Sequence, residues 1–209
     1  REELMCRFRA SRERTIRIYN GVQNIAGTRA AACPRDKADP IVLACGRLTP
    51  DKNYPFLVRA FARMKDTNTR LVILGEGAER GRIEAEIARL GLEGRVSLPG
   101  YADPAPWYGN ASCFAMTSSR ETFGLVIVEA LAAALPVVTT ASGGPDEILQ
   151  DGRYGRVVEQ GDETAFAEAL DAALADPGDA DARLARAHEL SIETCADAYE
   201  KLLYEIARQ

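Results

Sequence analysis

The chain has 209 residues, 46% of them hydrophobic, enough for one substantial domain and thin for two. Its formal charge of −5 disfavours a nucleic-acid-binding surface, which is ordinarily basic. It contains no apolar run of roughly 18 residues or more, so no segment reads as a membrane-spanning helix.

Residues 1–17 carry Arg1, Arg7, Arg9, Arg12, Arg14 and Arg17. This basic lead-in reads as a solvated segment, with an anionic membrane surface or nucleic acid as the alternative contact. The partial alternation of Thr15-Ile16-Arg17-Ile18-Tyr19 predicts a strand, ended by the Asn20-Gly21 turn signal. Residues 23–40 are small and polar, with Pro34 and Pro40, and read as a linker or loosely ordered loop.

From residue 41 the pattern is regular. Ile41 to Cys45 is a continuous apolar run, as expected of a parallel strand covered on both faces. Gly46 to Asn53 form a turn, and the helix after it sets Phe56, Leu57, Ala60, Phe61 and Met64 on one face. Arg70 to Leu74 is the second strand. Gly75-Glu76-Gly77 turns from it into a helix with Ile83, Ile87 and Leu90 at helical spacing, ended by Gly91. Val96-Ser97-Leu98 is the third strand and Gly100-Tyr101 its exit. Trp107 and Tyr108 follow Asp103-Pro104-Ala105-Pro106 and are expected to pack a short helix rather than hold a sugar. Cys113 to Met116, Pro136 to Thr140 and Gly155 to Val158 are the remaining strands. Helical stretches near 163–175, 179–189 and 192–208 close the chain, the last with Tyr199, Leu202, Leu203 and Ile206 on one stripe.

This alternation predicts an α/β fold: a doubly wound, Rossmann-like parallel sheet of about six strands with helices on both faces. Ligands of such sheets bind beyond the carboxyl ends of the strands. The turns at Gly46-Arg47, Gly75-Glu76, Gly100-Tyr101, Glu121 and Gly143-Gly144 should therefore gather on one edge. Gly75-Glu76-Gly77-Ala78-Glu79-Arg80-Gly81 nearly matches a dinucleotide fingerprint. It is one residue too long before its third glycine, and no acidic residue closes the next strand, so a structural turn is expected. The five cysteines, Cys6, Cys33, Cys45, Cys113 and Cys195, are scattered and suggest no zinc site; Cys45 and Cys113 read as small buried hydrophobes. A reducing cytoplasm fits them. The single histidine, His188, reads as a surface helix residue.

The chemistry concentrates in Ser118 to Ala130. A polar turn containing Gly124 joins the fourth strand to a helix read as Glu129 to Leu135, the layout of an anion-binding edge. Glu121 and Glu129 bracket the helix start with seven residues between them, Glu129 being expected about two turns into the helix. Carboxylates repel phosphate but accept hydrogen bonds from sugar hydroxyls, each contributing roughly 1.5–3 kcal/mol. The pair therefore suits a ligand with a sugar at each end and an anion between, the anion held by backbone amides near Phe123-Gly124-Leu125 and by cations. Arg47 and Lys52 are the candidate cations: arginine grips a diphosphate bidentately and lysine adds a point charge. They match its two negative charges without calling for a metal. Tyr101 reads as a rim tyrosine in a loop, or as an aromatic face open to a ligand ring. Gly143-Gly144-Pro145 reads as shaping the pocket floor, with Asp146 and Glu147 in a first helical turn.

Glu121 to Glu129, continued by Ala130-Leu131-Ala132-Ala133-Ala134-Leu135-Pro136-Val137-Val138, resembles the E-x7-E signature of retaining GT-B glycosyltransferases of group 1, or family 4. Ser142-Gly143-Gly144-Pro145-Asp146-Glu147-Ile148 and Gly46-Arg47-Leu48 with Lys52-Asn53 resemble the other two landmarks of that family. Ala134 departs from it, standing where glycine is common.

The resemblance implies that residues 41–209 form the C-terminal donor-binding domain. Residues 1–40 would be the tail of an N-terminal domain, otherwise outside the chain, plus a linker. It implies transfer of a hexosyl unit from a nucleotide diphosphate sugar, UDP- or GDP-linked, to an acceptor hydroxyl with anomeric retention and no cofactor. Glu121, Arg47 and Lys52 would serve the chemistry. Gly46, Gly100, Tyr101, Phe123, Gly124, Leu125 and Glu129 would bind the donor, Glu129 at the ribose. The acceptor, a sugar or lipid-linked glycan, would lie with the N-terminal domain, to which the last helix would cross back. Such an enzyme would be cytoplasmic, peripheral at the inner membrane face, and the fragment alone inactive. The alternatives are a nucleotide-sugar-binding module without transferase activity and another GT-B enzyme such as a sugar-nucleotide epimerase.

Overall fold

A computed structural model describes residues 15–23 and 39–208. The arginine-rich segment up to residue 14 and most of the expected linker, residues 24–38, lie outside the described residues. In chain order the elements are β1 (Ile41–Cys45), a 3₁₀ turn (Pro50–Lys52), α1 (Tyr54–Ala62), β2 (Arg70–Leu74), α2 (Arg80–Arg89), β3 (Val96–Gly100), α3 (Ala105–Asn110) and β4 (Cys113–Met116). They continue as α4 (Leu125–Ala132), β5 (Val137–Thr140), α5 (Gly144–Leu149), β6 (Arg156–Val158), α6 (Glu163–Ala175), α7 (Ala180–Glu189) and α8 (Ile192–Ala207).

The strands form one six-stranded sheet in the order β3-β2-β1-β4-β5-β6, every neighbouring pair parallel. The expected doubly wound fold is therefore the observed one. Strand order reverses between β1 and β4, which pair through Val42 with Cys113 and Leu43 with Phe114. Side chains alternate across a strand, so each run feeds two cores. Val42, Ala44, Leu71, Ile73, Cys113 and Ala115 face α1, α2 and α6. Leu43, Val72, Leu74, Phe114 and Met116 face α3, α4, α5 and α7. Leu43 and Phe114 are fully buried, and such burial contributes about 1.5–3 kcal/mol per side chain. A sheet covered on both faces needs continuous apolar strands, which is why these were readable.

Two local expectations need correction. Residues 15–20 form no strand; their chain is irregular, and only Val22 makes an isolated bridge, to Ser191. Tyr19 instead stacks on Phe123, with ring centroids 6.0 Å apart, and Arg17 pairs with Glu147. These side chains dock the segment beside the sheet rather than in it. The helix bearing Glu129 starts at Leu125, so Glu129 stands just over one turn in, not two. It stops at Ala132, and Ala134 adopts a left-handed conformation, φ 57°. The amides of Ala134 and Leu135 donate to the carbonyls of Leu131 and Ala130. This is a Schellman stop, whose left-handed position favours glycine. The departure at Ala134 therefore has a physical meaning: an alanine holds a strained backbone.

Helix α8 contributes no buried side chain, and Tyr199, Leu203, Tyr204 and Ile206 are exposed along it. No described helix is long and apolar enough to cross a membrane.

Candidate donor-binding cleft

The carboxyl ends of β1 and β2 run so close that side chains are excluded. The Gly46 amide donates to the Leu74 carbonyl and the Leu48 amide to the Glu76 carbonyl. A Cβ on Gly75 would stand 1.9 Å from the Gly46 carbonyl oxygen, and one on Gly77 2.4 Å from that of Leu48. Gly75 and Gly77 of the near-fingerprint thus serve a backbone crossing, as expected of a structural turn, while a Cβ on Gly81 would meet nothing within 4 Å.

The turn after β1 is then sewn to the exit of β4. Thr117 donates its hydroxyl to the Lys52 carbonyl at 2.9 Å, and the Ser119 amide donates to the Asp51 carbonyl at 2.8 Å. Thr140, at the end of β5, donates its hydroxyl to the Ser118 carbonyl at 2.8 Å. Glu121 is fixed from the other side: its amide donates to the Ser142 carbonyl and its carbonyl accepts from the Gly144 amide. A Cβ on Gly144 would lie 2.4 Å from the Phe123 Cα. The Gly143-Gly144 pair therefore lets the Glu121 loop press against α5. Its N-terminus is closed by Asp146, which accepts from the Gly143 amide.

These constraints bring Lys52 and Glu121, 69 residues apart, into contact at 2.5 Å. The other Glu121 oxygen accepts from the Thr122 amide at 3.1 Å. Both side chains are only partly exposed, 20% and 16%. They line a cleft of about 230 Å³ with Asn20, Cys45, Gly46, Tyr54, Met116, Thr117, Ser118, Phe123, Gly124 and Leu125. Gly124 enters α4 with φ 99°, a left-handed turn that suits glycine. The first amide of this turn to bond back is Ile127, onto the Gly124 carbonyl. The amides of Phe123, Gly124, Leu125 and Val126 precede it, where helix geometry offers no partner and the dipole favours an anion. The Ser118 hydroxyl is buried and unpartnered among the described residues. Donors without protein partners among the described residues thus gather on the cleft wall beside the Glu121 carboxylate.

Glu129 stands behind this cleft. Its Oε2 accepts from the Tyr108 hydroxyl at 2.8 Å, and Tyr108 in turn neighbours Cys45, which lines the cleft. Burial pushes the Cys45 thiol up to about 12, so it is neutral at physiological pH. Arg47 is exposed on the loop beyond Gly46 and forms no ion pair among the described residues. Asp51, close to both cations, is held below the usual carboxylate range first by the Thr49 hydroxyl, then by its own amide and the charges of Lys52 and Arg47.

Of the predicted site residues, Gly46, Lys52, Glu121, Phe123, Gly124 and Leu125 share the cleft wall; Glu129 and Arg47 do not line it, Glu129 lying on α4 and Arg47 exposed on the loop after Gly46. Gly100 and Tyr101 lie apart at the end of β3, beyond β2; Gly100 has φ 92° beside Glu76 and Tyr101 is 90% exposed. Sequence reasoning missed Cys45, Thr117 and Asn20 as lining residues and Tyr108 as the partner of Glu129, and gave Ser118 no role beyond opening the stretch. The polar Thr117-Ser118 step directly after an apolar strand was the available signal.

The family model described as "Glycosyl transferases group 1" matches residues 30–190. The chain is 36% identical over 203 residues to the lipopolysaccharide core biosynthesis glycosyltransferase LpsE of Rhizobium meliloti, covering 91% of this chain and 58% of that protein. It is 35% identical over 212 residues to a Campylobacter jejuni protein, covering 99% of this chain and 55% of that one. That relative is named N-acetylgalactosamine-N,N'-diacetylbacillosaminyl-diphospho-undecaprenol 4-alpha-N-acetylgalactosaminyltransferase. The chain thus spans little more than half the length of either relative. Among solved structures, Anabaena Alr3699/HepE in complex with UDP and glucose superposes with a TM-score of 0.82 at 26% identity, over 94% of this chain and 58% of that one. A Rickettsia africae glycosyltransferase superposes with a TM-score of 0.87 at 21% identity, covering 100% of this chain and 61% of that one, a likeness of fold. A doubly wound sheet, a glutamate loop and following helix at its switch point and a family match over most of the sequence agree: the chain belongs to the group 1 glycosyl transferases.

Proposed function

We propose that residues 41–209 are the C-terminal, donor-binding domain of a retaining, metal-independent hexosyltransferase, and residues 1–40 the end of an N-terminal domain plus linker. The observation that carries this reading is the cleft at the β1/β4 switch point. Open amides at the start of α4 stand between Glu121 and Glu129, with Lys52 opposite. In this reading the α4 amides, Lys52 and Arg47 bind the diphosphate. Glu129 accepts from the ribose hydroxyls, and Glu121 from hydroxyls of the transferred sugar. Gly46 leaves room for the donor, and Gly100 and Tyr101 meet the base from the rim.

The geometry suggests how binding and chemistry connect. Lys52 and Glu121 neutralise each other at 2.5 Å. A diphosphate oxygen draws the lysine ammonium toward itself and leaves the Glu121 carboxylate for sugar hydroxyls. As the glycosidic bond breaks, charge grows on the departing diphosphate, where the helix amides and cations already point. The protein thus acts by positioning and by stabilising a leaving anion.

UDP bound to the HepE structure favours a uridine donor over a guanosine one. The diphospho-undecaprenol acceptor in the name of the Campylobacter relative favours a lipid-linked glycan acceptor, reached from the cytoplasmic face of a membrane. Time-resolved proton NMR on the enzyme that joins this domain to its N-terminal domain, with UDP-glucose and GDP-mannose, tests the reading: retention releases or transfers the α-anomer first, from the uridine donor, while residues 1–209 alone turn over neither. A β-anomer first, or turnover abolished by EDTA, would contradict it.

A further inference from the structure

Glu129 has an unusual setting for a carboxylate. It is half-buried, and among the described residues no cation lies within ion-pairing distance. Its side-chain hydrogen bond comes from Tyr108, whose hydroxyl lies 2.8 Å from Oε2. Tyr108 is itself only 1% exposed, on the short helix α3, and its ring packs on Phe114 of β4 at 5.9 Å between centroids. The hydroxyl also lies 3.3 Å from the Val126 carbonyl on the first turn of α4. A phenol has one proton, and the shorter contact to the charged acceptor takes it. Burial raises the Tyr108 phenol well above its ordinary range, as does the neighbouring Cys45, so it remains a donor. The other Glu129 oxygen is without a protein partner among the described residues.

We infer that Tyr108 is a positioning residue for ribose recognition: it fixes one oxygen of Glu129 so that the other is aimed at the nucleoside hydroxyls. A glutamate has three side-chain torsions, and each one left free lowers the population of the productive rotamer. Anchoring Oε2 to a rigid, buried phenol removes that freedom before the ligand arrives, which is how preorganisation improves affinity. The hydroxyl also satisfies part of a carboxylate removed from bulk water, with no lysine or arginine near to compete with the ribose. The inference rests on the proposed donor reading, and adds to it a residue that touches no ligand.

Calorimetric titration with UDP and with 2′,3′-dideoxy-UDP tests it, on the wild-type chain, Tyr108→Phe, Glu129→Gln and the double variant. Phenylalanine keeps the ring that packs on Phe114, and thermal melting confirms the fold. The wild type should prefer UDP over the dideoxy analogue by about tenfold or more, as expected of charged hydrogen bonds to hydroxyls. Tyr108→Phe should weaken UDP binding and reduce the preference to about threefold or less, while the dideoxy analogue binds as before. In the Glu129→Gln background the same change should alter UDP binding less than about twofold, because the two residues act as a unit. A Tyr108→Phe variant that keeps the full preference, or weakens both ligands equally, would overturn the inference while leaving the donor site standing. A wild type that does not distinguish the two nucleotides would overturn both.

Discussion

The two edges of the sheet use their polar groups in opposite ways. At the amino-terminal edge, arginines are engaged by the protein's own backbone. Arg183, 6% exposed, donates to the carbonyls of Ala134 and Pro177, and Arg95 donates to those of Asp66 and Thr69 while covering the Phe61 ring at 4.7 Å. At the carboxyl edge, amides at the start of α4, the Ser118 hydroxyl and Arg47 have no such partners among the described residues. At one edge such groups are tied to the protein's own backbone; at the other, beside the Thr117, Thr140 and Lys52–Glu121 contacts, some are left without protein partners among the described residues. Protein interiors normally pair their buried polar groups, and the unpaired Ser118 hydroxyl is the observation on which the proposed donor site partly rests.

If that contrast is sound, matching substitutions at the two edges have different consequences. Arg183→Ala should cost about 3 kcal/mol of stability in urea unfolding, because buried charge-assisted bonds to two carbonyls are lost. Arg47→Ala should leave stability within about 0.5 kcal/mol and weaken UDP binding by about tenfold, measured by calorimetry. A destabilised Arg47 variant, or an Arg183 variant that melts like the wild type, would erase the distinction.

A pH series sharpens the same picture. Burial raises the Cys45 and Cys113 thiols from 9.0 to about 12, chiefly by desolvation of the thiolate. A raised acid favours the native state fully below its unfolded pKa, and this contribution is lost as pH rises through the folded value. Stability should therefore be insensitive to these thiols up to about pH 9 and fall progressively toward 12. Denaturant titrations at stepped pH, with Cys113→Ala as control, read the effect.

The smallest expected change is a gain. Ala134→Gly relieves the left-handed strain at the C-terminal stop of α4 and should stabilise the chain by about 0.5–1 kcal/mol. Cleft affinity for UDP should not change, since Ala134 lies at the far end of that helix.

Most of the fold was legible because the central strands β2, β1, β4 and β5, covered on both faces, are buried nearly throughout and stand out between polar turns, while the edge strands β3 and β6 give a weaker signal. Thr15 to Tyr19 misled because alternation signals a half-buried strand only if an edge is there to receive it. Here Tyr19 and Arg17 find side-chain partners instead. The start of α4 was misplaced because Leu125-Val126-Ile127-Val128 is rich in β-branched residues, and tertiary burial of Ile127 and Val128 overrides their weak preference. Glu121 and Glu129 were visible as a spaced pair. The partners that give them their geometry, Lys52 and Tyr108, lie 69 and 21 residues away in the chain and are joined only by the fold.

The central claim is that the carboxyl edge binds a nucleoside diphosphate through Glu129 and the start of α4. Calorimetric titration of UDP into the wild-type chain and into Glu129→Gln tests it most directly. Saturable binding that weakens by about tenfold or more in the variant, with its melting temperature unchanged, is the predicted result. Equal affinity in the two chains, or UDP binding that survives when Glu129 is replaced and Lys52 and Arg47 are both changed to alanine, would contradict it.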